Sequence, residues 1–140
     1  MANYMETCKT NHFRVTDEEK YRKIFGLLCA EDTIYDLTET DENGTIWHAF
    51  GCYGTIDYHH EVYDDKGNLV VNEYDFYVWI NMLQKILDER DVFIFYGAGN
   101  EKLRYISGYC IVASKTDIKS SNIDSEAERL AKELLGNNEQ

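Results

Sequence analysis

The stretch TIDYHHEVYDDKG, residues 55–67, sets two adjacent histidines, His59 and His60, among Asp57, Glu61, Asp64 and Asp65. Carboxylates beside imidazoles can bind a divalent ion or hold a histidine cationic. On an extended strand, however, neighbouring side chains point to opposite faces. His59 and His60 therefore cannot share one ion without a bulge, whereas Asp57, His59 and Glu61 fall on one face. Zinc sites draw three or four ligands into a rigid frame, and the remaining histidines, His12 and His48, have no spacing that requires them to join this trio. We read the stretch as charged surface whose histidines tune its charge between about pH 6 and 7. No metal and no cofactor is expected.

Other routes to catalysis are equally thin. The chain has no G-x-S-x-G, H-E-x-x-H or Walker A motif, and no H-x-E paired with C-x-x-C. GAGNE, residues 97–101, looks like a phosphate loop only in composition, because a strand rather than a helix is expected to follow it. It reads as a hairpin loop. Cys52 lies between two glycines in FGCYG, a setting compatible with reactivity, but free cysteine is commonly a small buried residue. Cys8, Cys29, Cys52 and Cys110 match neither a zinc pattern nor a dense disulfide frame, so reduced thiols in a cytoplasm are expected. An enzyme is not the favoured reading.

Charge is the sharper signal. Of a formal net charge of −12, residues 31–75 hold Glu31, Asp32, Asp36, Glu39, Asp41, Glu42, Asp57, Glu61, Asp64, Asp65, Glu73 and Asp75 against Lys66 alone. Such a field repels nucleic acid and attracts basic partners. Carboxylates two residues apart on a strand lie roughly 6.6–6.8 Å apart on one face, a spacing comparable to that of phosphates along a nucleic-acid strand. We therefore take Asp36, Glu39, Asp41, Glu42, Asp57, Glu61, Asp64 and Asp65 as candidate partner-binding residues. The plainer reading is that turn and edge carboxylates keep a sheet soluble and unpaired. A second functional reading is an RNA-binding or RNA-processing module that uses a sheet face, with His12, Arg14, Lys102, Arg104 and Tyr105 as contacts and Phe13, Tyr96 and Tyr109 available for stacking. A third is a structural or interaction domain with neither property.

These residues must be positioned by a single domain spanning residues 1–140, a size that can bury one core. TNHFRV, residues 10–15, alternates like a strand. It leads into a helix with a Thr16/Glu19 capping box and a Tyr21, Ile24, Phe25, Leu28 stripe. Two strands flank the DENG turn, residues 41–44, and DDKGN, residues 64–68, suggests a small accessory hairpin or a long loop. The run YDFYVWINMLQKILDER is the strongest helix, capped by Asp75, with Phe76, Trp79, Ile80, Leu83, Ile86 and Leu87 on one side. Two strands follow around GAGNE. A last helix at about 124–135, capped by Asp124 or Ser125, ends at Gly136. The resulting order, β-α-β-β-α-β-β-α, is that of an α+β, ferredoxin-like protein with a mostly antiparallel sheet and its helices packed on one face. The start of the chain has no basic segment followed by an apolar run, and no segment is apolar for long enough to span a bilayer, so a soluble cytoplasmic protein is expected.

TNHFRVTDEEKYRKIFGLL, FGCYGTIDY and NEKLRYISG together resemble a group of small accessory proteins carried by plasmids, phages and conjugative elements of Gram-positive bacteria. Such gene sets include anti-restriction proteins and type II-A anti-CRISPR proteins, some of them compact and acidic. The resemblance implies a mobile-element protein that disarms a host defence nuclease. Its partner would be a basic nucleic-acid-binding protein such as a Cas9-type effector or a restriction enzyme. It supplies no motif from which to carry over a site residue.

Overall fold

The computed structural model describes residues 5–136. In chain order its elements are β1 (Met5–Thr10), α1 (Glu18–Phe25), β2 (Leu28–Ala30), β3 (Ile34–Asp36), β4 (Glu39–Thr40), β5 (Ile46–Trp47), β6 (Phe50–Cys52), β7 (Ile56–Tyr63), β8 (Leu69–Tyr74), α2 (Phe76–Gln84), β9 (Phe93–Glu101), β10 (Tyr105–Ala113), β11 (Ile118–Asn122) and α3 (Ile123–Leu134). The main sheet runs β11-β10-β9-β1-β6-β3, with a second sheet β2-β7-β8 and a short pair β4-β5. Every ladder among these strands is antiparallel. Over the described residues the molecule is thus α+β, with three helices and antiparallel sheets. The ferredoxin-like order is not what the ladders show, because the strand after α1 joins the second sheet and β1 lies antiparallel between β9 and β6.

Burial alternates along the main sheet and defines its two faces. Phe93 and Phe95 on β9, Ile111 and Ala113 on β10, Cys8 and Thr10 on β1 and Phe50 and Cys52 on β6 all point to one side and are buried. On that side α1 and α2 supply Tyr21, Trp79, Ile80 and Leu83. Trp79 is fully buried. It packs edge-on against Phe50 with ring centroids 5.6 Å apart, stacks on Phe76, and donates its Nε1–H to the Ile24 carbonyl at 2.7 Å, tying the two helices together.

Residues 10–15 do not form the first strand. The strand is Met5–Thr10, and the chain leaves the ladder at Asn11, whose side-chain amide accepts the Ile94 N–H and donates to the Val92 carbonyl. Beyond it, Phe13 and Val15 make only single bridges, to His48 and Leu87. Asp17 rather than Thr16 caps α1, accepting the Lys20 N–H at 3.0 Å. Thr16 is occupied elsewhere, its N–H and hydroxyl both donating to the Ile86 carbonyl. The helix ends at Phe25, so Leu28 belongs to β2.

The Ile86 carbonyl is thereby taken by α1's approach segment and Leu87 bridges Val15, which stops α2 at Gln84 although Ile86 and Leu87 remain buried. Lys115 then covers the helix end, its ammonium donating to the carbonyls of Gln84, Lys85 and Leu87 at 3.1–3.2 Å. A cation on these carbonyls is favourable because a helix end leaves them unsatisfied. Asp75 caps the start of α2 as the sequence implies, accepting the Tyr77 N–H.

GAGNE is strand, not loop. It lies inside β9, and the hairpin turns instead at Lys102, which has φ of 53°. Glycine is needed at Gly97 because the Tyr109 ring of the paired β10 crosses it, and a methyl group there would fall inside that ring. The last helix begins one residue earlier than the sequence implies and is capped by Asn122, which accepts the Ser125 N–H at 2.9 Å; Gly136, at φ 89°, closes it. Unlike α1 and α2, α3 buries no residue.

Candidate partner-binding hairpins

The acidic segment folds into two hairpins. In the first, β3 and β6 pair Ile34 with Cys52 and Asp36 with Phe50, and the same register continues through Leu37 N–H to the Ala49 carbonyl and on to Glu39 with Trp47 and Thr40 with Ile46. β3–β4 and β5–β6 are therefore the two sides of one hairpin around DENG, as the turn residues imply. In the second, β7 and β8 form a ladder from His59 and Tyr74 to Tyr63 and Leu69, with a bulge after Val62. Of the small hairpin and the long loop that DDKGN allows, the hairpin forms. From Glu61 to Val70 it is exposed on both faces, so it stands out from the body as an arm.

The two tips are built alike. At Asp41-Glu42-Asn43-Gly44-Thr45, Asp41 Oδ1 accepts the N–H groups of Asn43 and Thr45 at 2.9 and 3.0 Å, and the Asp41 carbonyl accepts Gly44 N–H. At Asp64-Asp65-Lys66-Gly67-Asn68, Asp64 Oδ1 accepts Lys66 and Asn68 N–H at 2.9 and 2.8 Å, and its carbonyl accepts Gly67 N–H. Gly44 and Gly67 adopt φ of 83° and 85°, left-handed backbone that glycine supplies at least cost. The Trp47 Nε1–H bond, followed by the backbone N–H bonds, holds the Asp41 carboxyl below the usual range. For Asp64 the Asn68 backbone N–H does most of this work.

These bonds sort the candidate residues. Asp36 accepts Thr38 N–H, and Asp57 accepts Tyr58 N–H. Glu39 lies 3.6 Å from His12 Nε2, and Glu61 lies 3.8 Å from His59 Nε2. Asp36, Asp41, Asp57 and Asp64 bond backbone N–H groups, while Glu42, Glu61, Asp65 and Glu73 are exposed. His59 is engaged by its own hairpin, stacking on Tyr74 at 4.7 Å and bonding Asn72 Oδ1. Among the described residues no three His, Cys, Asp or Glu side chains are grouped to hold a metal ion.

The alternative RNA contacts are not brought together. Asn11 pairs beside Ile94 at one end of β9, whereas Lys102 and Arg104 lie in the turn beyond Glu101 at the other, next to Tyr105 at the start of β10. Lys102 and Arg104 therefore do not share a strand face. Arg14 is committed to the fold: it donates Nε and Nη2 to both oxygens of Asp91, and its guanidinium sits 4.5 Å from the Trp47 ring centre. Arg104 faces Glu101 at 3.6 Å. Cys52, far from being presented by its glycines, is buried directly across from Cys8. Burial raises both thiols, and Cys8, further disfavoured by Cys52 and Glu6, is pushed up to about 12.

One polar cluster was not read from the sequence. His48 is 6% exposed, bonds Glu18 Oε1 through Nε2 at 2.8 Å and Thr38 Oγ1 through Nδ1 at 3.3 Å, and lies against the Tyr21 ring at 4.0 Å. It clamps α1 to the first hairpin, and nothing in its spacing signals that role. Among the described residues no helix is long and apolar enough to cross a membrane. Comparison with protein-family models, curated proteins and solved structures gives no match.

Proposed function

We propose that the protein is a non-enzymatic inhibitor of a host defence nuclease, encoded on a mobile element, that docks its acidic hairpins on a basic nucleic-acid-binding surface of a Cas9-type effector or a restriction enzyme. One observation carries this reading: the exposed Glu42, Glu61, Asp65 and Glu73 lie on two hairpins whose lysine and arginine content is Lys66 alone. Because the turn geometry is maintained by Asp41 and Asp64, the outward carboxylates are presented on fixed backbone. Surfaces built to hold phosphates offer the lysines and arginines that such carboxylates would meet, and complementary charge speeds encounter.

The test is a quadruple reversal, Glu42→Lys, Glu61→Lys, Asp65→Lys and Glu73→Lys, that leaves both turn aspartates in place. Binding to a guide-loaded type II-A effector, or to a restriction enzyme, is expected to weaken at least tenfold and to lose most of its salt dependence. Inhibition unchanged by the quadruple variant would refute the docking mode.

A further inference from the structure

β1 is held unequally on its two sides. Six of its residues pair with β9, from Met5 with Asn100 to Thr10 with Phe95, whereas its ladder to β6 consists of Cys8 with Cys52 and Lys9 with Gly51. Beside that short ladder the strands come close: a side chain at Gly51 would begin 2.9 Å from the Cys8 carbonyl oxygen. This seam joins the β9–β10–β11 side of the main sheet to β6 and β3, and through them to the first acidic hairpin.

Two thiols oppose each other across the seam. Cys8 and Cys52 are register partners, both are free, and alternation puts both side chains on the core side, where they are 1% and 4% exposed. Directly opposed residues of antiparallel strands have Cα atoms about 4.5–5.5 Å apart, within the span of about 4.4–6.8 Å that a disulfide bridges. The partner of Cys8 on β9 is Gly97, which offers no side chain, so the cross-strand side chain beside Cys8 is that of Cys52. The other thiols have different surroundings. Cys29 donates to the Asp57 carbonyl in the second sheet, and Cys110 pairs with Tyr96 and Ser121 two strands away. Of the opposed pair, Cys52 is nearer solvent. Its Sγ lies 3.6 Å from where a Gly54 side chain would begin, and Gly54 lines an open depression of about 440 Å³ with Glu6, Glu31 and Asp32.

We propose that Cys8 and Cys52 are an oxidation site, closing under peroxide into a reversible disulfide that staples β1 to β6. Hydrogen peroxide entering beside Gly54 transfers one oxygen to the Cys52 thiolate, leaving a sulfenic acid and hydroxide. The Cys8 thiolate then attacks that sulfur, forming the S–S bond and expelling a second hydroxide. The two thiol protons convert both hydroxides to water, so the two cysteines together lose two electrons to one peroxide. Burial holds both thiols up, aided at Cys8 by Cys52 and Glu6 and at Cys52 by Asp32, so closure is slow and needs sustained oxidant. The staple encloses α1 and the first hairpin in one covalent loop, which restricts the unfolded chain and raises stability. It does not depend on the docking proposed above.

The experiment exposes the folded full chain, carrying Cys29→Ser and Cys110→Ser, to hydrogen peroxide at neutral pH, then alkylates it in denaturant for mass spectrometry. The expected product is a single chain lacking two hydrogens and resistant to alkylation, whose digest joins the Cys8 and Cys52 peptides; dithiothreitol restores both thiols. Its urea midpoint is expected to rise on oxidation and to fall back on reduction. The wild-type chain, mapped in the same way, keeps the test decisive if the serine background does not fold, and is expected to give the same crosslink. Thiols at Cys8 and Cys52 that remain alkylatable after hours in peroxide overturn the inference, as does a sulfinic acid on Cys52 beside a free Cys8. A wild-type chain that joins either residue to Cys29 or Cys110 instead overturns it too, and so does a crosslinked chain whose midpoint is unchanged or lowered.

Discussion

Asp41 and Asp64 show what a single side chain does in this protein. Each closes a five-residue turn by accepting two backbone N–H groups, and each carboxyl is held below the usual range, Asp41 first by the Trp47 Nε1–H and then by its backbone bonds, Asp64 first by the Asn68 N–H. A lowered carboxyl contributes stability that is complete above its ordinary pKa and is lost as pH falls through the depressed value. Both hairpins are therefore expected to hold at neutral pH and to loosen only in strong acid. Asp64→Ala should raise amide exchange along β7 and β8 at pH 7 while Asp65→Ala leaves it unchanged, an outcome that deuterium exchange followed by NMR would read. The D-x-x-G pattern of both turns was plain in the sequence. That their first aspartate also bonds the turn's backbone was not, because composition does not reveal which carboxylate does so.

Elements were legible where local chemistry governs them. The DENG and DDKGN hairpins and the Asp75 cap follow from turn and cap residues, and the Gly136 stop from the same logic at a helix end. Boundaries set by distant partners were hidden. α2 stops at Gln84 because Thr16 and Val15 claim the segment after it, and GAGNE stays in register because β1 and β10 flank it on both sides. The join between α1 and α2 rests on Trp79, which is fully buried and bonds the Ile24 carbonyl. Trp79→Phe is expected to lose that bond, and Trp79→Ala to cost about 3–5 kcal/mol, the usual range for removing a buried aromatic. Urea unfolding monitored by far-ultraviolet circular dichroism measures both.

At the scale of the whole molecule, the acidic hairpins and the exposed α3 are separate surfaces on one core. The composition gave the sum of their charges and not their division. The division depends on β1, which lies at the centre of the main sheet between β9 and β6. Cys8 meets Gly97 there, so the middle of the sheet joins segments from distant parts of the chain, while the β7–β8 arm joins near neighbours. Pairing of this kind is slow to form because the intervening loop must close first. During synthesis β1 leaves the ribosome early, and its edge on the β9 side must wait until β9 has been made. A chain released before Phe93 would have the arm and both early helices but no partner for one side of β1, and refolding of the full chain is expected to show the arm protected from amide exchange before β1.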